Sequence, residues 1–139
     1  MSSRRSRRET LVRVADIKTK LARRDVAAQR QLLADAEALA SARQDLLAGT
    51  GLAGGSPTAL EQSTQLRLLR AASVAEAEAH VRLAVLASDS ALRAWTEARR
   101  QQKLMENLRD RAVEEAVVER HRVEQREADD LASTRQADW

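Results

Sequence analysis

The chain has 139 residues, 43% hydrophobic and 32% charged, with no Cys, Phe or Tyr, two Trp and a formal net charge of +3. The missing cysteines exclude a disulfide framework and thiolate metal sites, and fit a reducing cytoplasm. With almost no aromatics, the apolar content is mostly Ala, Leu and Val, which suits a thin helix–helix seam better than a thick core.

The first residues, Met1 to Arg8, are basic like a signal n-region, but residues 10–30 are charged and supply no apolar h-region. No stretch approaches the ~18–20 apolar residues needed to span a bilayer. Residues 1–9 are therefore expected to be a basic extension of a cytoplasmic protein. Up to residue 24 there are nine Lys/Arg against Glu9 and Asp16, a balance of +7. Such a start supplies solubility and weak surface pairing, or steers the chain toward an acidic partner or anionic surface.

A first helix is predicted over 10–48. Leu11, Val14, Ile17, Leu21, Ala28, Leu32, Leu39, Ala42 and Leu46 recur mostly at steps of three, four or seven, with a stutter between Leu21 and Leu32. All four glycines and Pro57 fall in 49–57. Because Gly costs a helix interior roughly 1 kcal/mol and Pro roughly 3, this is the one predicted turn. Gly49 stands where a left-handed cap belongs.

The second helix is predicted over 58–132, starting at the Thr58–Glu61 capping box, or at Ser56 with Pro57 in its first turn. Its seam runs through Val74, Ala77, Val81, Ala84, Ala91, Trp95, Ala98, Met105, Ala112, Ala116 and Val123, with polar Ser88, Gln102, Arg109 and Glu119 between. Residues 133–139 read as a tail, where Trp139 docks or frays. The expected fold is all-α, an antiparallel two-helix coiled coil with the second helix longer. At ~1.5 Å per residue the helices are ~58 and ~112 Å long. A tight turn places Thr10 opposite about Thr96 and leaves the rest of helix two unpartnered.

Signals for chemistry are absent. His80 and His121 are isolated, and Gly49–Gly55 lacks the Lys-Ser/Thr and preceding strand of a phosphate loop. Glu114, Glu115, Glu119, Glu124 and Gln125 lie near His121 in sequence, but read as a solvated face. The acidic group Glu124, Glu127, Asp129 and Asp130 lacks calcium-loop spacing. No aromatic interleaving supports nucleic-acid stacking. A non-enzyme without cofactor or metal is expected.

Leu92-Arg-Ala-Trp95 is followed by Glu97-Ala-Arg-Arg100, Gln102-Lys-Leu-Met-Glu-Asn-Leu-Arg-Asp-Arg111 and Val123-Glu-Gln-Arg-Glu-Ala-Asp-Asp-Leu-Ala132 with Arg135. This pattern resembles the C-terminal region of the bacterial flagellar export protein FliJ family. Length and layout are similar over the whole chain, the motif over about 92–135; Met105 departs from it, and the glycine-rich turn is more open than a tight hairpin needs. The resemblance implies a central stalk that inserts into the flagellar export ATPase hexamer, promotes its assembly and activity, and contacts the cytoplasmic domain of the export gate. Some members also bind export chaperones. Membrane association would be peripheral, through the export apparatus.

Carried onto this chain, Arg99, Arg100, Lys103, Arg109, Arg111, Glu114, Glu115, Glu119, Arg120 and Arg122 would meet the ATPase. Leu66, Leu69, Arg70 and Ser73 would meet the gate, or else pack on helix one beside the turn. A virulence-type secretion stalk and a generic coiled-coil scaffold are the alternative readings.

Overall fold

The computed structural model describes residues 2–137, so Trp139 lies outside the described residues. The protein is an all-α helical hairpin: α1 runs Ser2–Ala48 and the longer α2 runs Pro57–Ala137. Two compact units divide it, one of Thr19–Glu97 and one of Met1–Lys18 with Ala98–Trp139.

The element ends differ from the sequence expectation at the start of helix one and the end of helix two, and helix two takes the second of its two expected starts. The basic extension is helical from Ser2, because its Arg, Ser and Glu residues include no breaker. Arg5 pairs with Glu9 one turn on, at 3.4 Å, and the Thr10 hydroxyl donates to the Ser6 carbonyl. Helix two begins at Pro57, where a missing N–H costs nothing; the Ser56 Oγ accepts from the Ala59 N–H at 3.1 Å as the cap. It continues past 132 to Ala137, with Ser133 and Thr134 donating back to the Asp129 and Asp130 carbonyls.

Gly49 is not the left-handed cap. Its N–H makes an ordinary helical bond to the Asp45 carbonyl at 2.9 Å, and Gly55, φ 118°, alone takes positive φ among the described residues. Helix one instead ends on buried Thr50, whose hydroxyl donates to the Leu46 carbonyl at 2.7 Å.

In the central unit, α1 with Thr50 just after it contributes an unbroken seam of alternating steps of four and three, in which Thr19, Ala22, Val26, Gln29, Leu33, Ala36, Ala40, Arg43, Leu47 and Thr50 are buried or half-buried. This corrects the expected seam. Leu21, Leu32, Leu39 and Leu46 each stand one residue earlier, about 100° around the helix, and are exposed. The physical reason is fit: α2 offers Val74, Ala77, Val81, Ala84, Ser88, Ala91 and Trp95, an Ala-rich ridge that lets backbones approach closely when the facing ridge is also small. Ala77 is 1% exposed, and among the described residues no large side chain is fully buried.

The terminal unit repeats the logic with Val12 and Ala15 of α1 and Ala98, Gln102, Met105, Arg109 and Ala112 of α2. Gln102 donates to the Asp16 carboxylate at 3.3 Å. A tight turn would have brought Asp16 to about residue 90, so the pairing reaches further along α2 than expected. From Val113 to Ala137 every residue of α2 is exposed; Ala116 and Val123 are thus outside the seam. The stretch beyond α1 is shorter than the one expected from Thr96 onward: the start of α1 still lies beside Val113, Val117 and Arg120.

Candidate interaction surfaces

The residues expected to meet an ATPase lie in the terminal unit and almost all face solvent. Arg99, Arg100, Lys103, Arg111, Glu114, Glu115, Glu119, Arg120 and Arg122 are exposed, while Arg109 is half-buried. Arg109 is held by its neighbour, Nη2 lying 3.0 Å from the Asp110 carboxylate. Glu119 and Arg122 pair across one turn at 3.7 Å, and His121 Nδ1 lies 3.4 Å from Glu124. Such exposed pairs are individually weak. The surface is a dense alternation of charge on a single helix.

Next to it, Arg4, Arg5, Arg8 and Glu9 of α1 and Arg109, Ala112, Val113, Ala116, Val117 and Arg120 of α2 line a groove of about 670 Å³. Its lining is small apolar side chains and arginines, with Glu9 the one acid. The sequence expectation sets Ala112 and Ala116 in a seam and the basic start at the open end near the base of the overhang, but not in one groove, because it begins helix one at Thr10.

In the central unit the four residues expected at an export gate separate into two pairs. Leu66 and Leu69 are 44% and 70% exposed. Arg70 and Ser73 are turned toward helix one: the Arg70 guanidinium donates to the Leu46 carbonyl at 3.1 Å and to the Thr50 hydroxyl, and the Ser73 carbonyl accepts from Arg43 at 3.0 Å. A cation at the carbonyl end of α1 also complements its dipole. So the leucines are available to a partner, whereas Arg70 is engaged in closing the hairpin.

Two apolar surfaces escaped the sequence reading. Leu68 is exposed beside Leu69, and Leu32, Leu39 and Leu46 form an exposed row along α1. On the opposite flank of the same seam, Gln44 donates to Glu78 at 3.0 Å. One flank is closed by polar groups and the other is leucine. The signal was present as doublets one residue apart (Leu32-Leu33, Leu39-Ala40, Leu46-Leu47), which give one helix two packing faces.

No protein-family model, curated protein or solved structure matches the chain. The surfaces must speak for themselves. No group of three or more His, Cys, Asp or Glu among the described residues is placed to hold a metal ion. No helix among them is long and apolar enough to cross a membrane.

Proposed function

We propose that this chain is a non-catalytic stalk of a type III export apparatus of the flagellar kind, which inserts into the export ATPase hexamer, promotes its assembly and activity and links it to the export gate. The observation that carries the reading is the end of α2: residues 113–137 are helical, charge-dense and wholly exposed. A single helix in water is marginal, and many shallow charged contacts let a stalk engage a ring without locking to it. The sequence resemblance over 92–135 points the same way. Leu66, Leu68 and Leu69 are the residues this reading offers to the gate, and Arg70 serves to hold the turn beneath them.

The test is ATP turnover by the flagellar export ATPase with the full chain and with a form ending at Ala112. Stimulation and ring assembly by the full chain alone support the stalk. No stimulation and no co-elution, with the protein helical, overturn it. The exposed row Leu32, Leu39 and Leu46 favours one other reading, a coiled-coil scaffold that recruits further helices; it predicts bundle formation without any response from an ATPase.

A further inference from the structure

The arginine-rimmed groove of the terminal unit joins Arg109 and Arg120, which the stalk reading gives to the ATPase, to Arg4, Arg5 and Arg8, which that reading leaves unused. Arg4, Arg8 and Arg120 stand around its Ala112, Val113 and Val117 floor without an ion pair among the described residues. Glu9, the one acid at the rim, is taken by Arg5 at 3.4 Å. Guanidiniums over a methyl floor fit an acidic amphipathic helix, since each can hold a carboxylate through paired N–H bonds.

The chain carries such a helix. Residues 124–132 combine Glu124, Glu127, Asp129 and Asp130, against the single base Arg126, with Ala128, Leu131 and Ala132, and all of them are exposed. This segment cannot reach the groove of its own chain. Both belong to one continuous helix, on which Asp129 stands ~20 Å along the axis from Ala116 at ~1.5 Å per residue. The occupant must come from another molecule.

We infer that the groove receives the acidic end of α2 from a second copy of this chain, antiparallel, so that each copy fills the other's groove. Alignment about residue 122 sets Val113 opposite Leu131 and Arg120 opposite Glu124, twice by symmetry. On the level set by the Asp16–Gln102 contact, Arg4 then stands beside Asp130 and within a turn of Glu127, and Arg8 stands one turn beyond Asp130. The dimer takes the stretch of α2 that the export reading gives to the ring, so it is a form of the chain outside the ring, and its experiment needs no ATPase.

The test is sedimentation equilibrium of the full chain and two charge-reversed variants, R4E/R8E/R120E and E124R/E127R/D130R, each first shown helical by circular dichroism. The wild type is expected to be a monomer–dimer equilibrium that weakens as salt screens the contact. Each variant alone is expected to bind itself at least about tenfold more weakly, because like charges then meet across the interface. An equimolar mixture of the two is expected to restore the dimer, a result that misfolding cannot imitate. A wild type monomeric at every concentration overturns the proposal. So do variants that remain dimers, which would place the contact on another face such as Leu32 and Leu39, and so does a mixture of helical variants that stays monomeric.

Discussion

Arg43 Nη1 donates to the Ser73 carbonyl at 3.0 Å, while the Glu76 carboxylate lies 3.8 Å from the same nitrogen. A half-buried cation thus occupies a seam position between two helices, where a coiled coil ordinarily has an apolar side chain. It fixes which turn of α1 meets which turn of α2. Arg43→Ala is expected to lower stability by about 1–2 kcal/mol, through the lost charged hydrogen bond and the lost stem. Arg43→Leu should recover most of it and weaken pairing specificity. Urea unfolding of the three proteins checks this.

Arg70 does the corresponding task at the turn. Arg70→Ala removes the donor to the Leu46 carbonyl and Thr50 and is expected to cost about 1 kcal/mol. Amide exchange near residues 46–50 should speed up more than exchange near Val26, because the loss is local.

Ala77 is 1% exposed and Leu69 70% exposed, so size at the two sites has opposite consequences. Ala77→Leu should force the helices apart at a cost of about 1–3 kcal/mol. Leu69→Ala should stay within about 0.5 kcal/mol, as surface changes usually do. A melt of each variant separates a packed position from a displayed one.

The outer leucines of α1 make a similar contrast. L32Q/L39Q/L46Q should keep the fold and reduce binding of an apolar dye, since these residues are exposed. Val26→Gln, one side chain on the buried seam, should destabilise more than the three together.

Ending the chain at Ala112 should remove helical signal from residues 113–137 and, at concentrations where the full chain is a monomer, leave the melting midpoint nearly unchanged, because those residues are all exposed. Circular dichroism measures both quantities in one experiment. A large drop in midpoint would mean that the end of α2 packs on a partner.

Much of the fold was legible because its determinants are local. Breakers confined to 49–57 can mean only one turn, and the seam from Val74 to Ala112 is a regular repeat that the structure keeps. The face of α1 was misread for a physical reason. Ranking by side-chain size selects Leu11, Leu21 and Leu32, whereas close packing of two Ala-rich ridges selects the unbroken repeat through Ala22, Val26 and Ala36, even at the expense of Gln29 and Arg43. A stutter in the chosen seam was the warning. The pairing offset was misjudged because it depends on an open loop. The groove was missed because residues without an apolar repeat, such as Arg4 and Arg8, give no periodic signal of where they lie.

The loop between the helices is tethered at few points. Ala53 N–H donates to the Ser63 hydroxyl at 3.1 Å, yet side chains added at Gly51 or Gly54 would meet nothing within 4 Å. Each doubling of a flexible loop costs only about 0.6 kcal/mol of closure entropy. A fluorophore, an affinity tag or a whole foreign domain can therefore be spliced in after Gly54, reporting on the protein at work while both helix ends stay native.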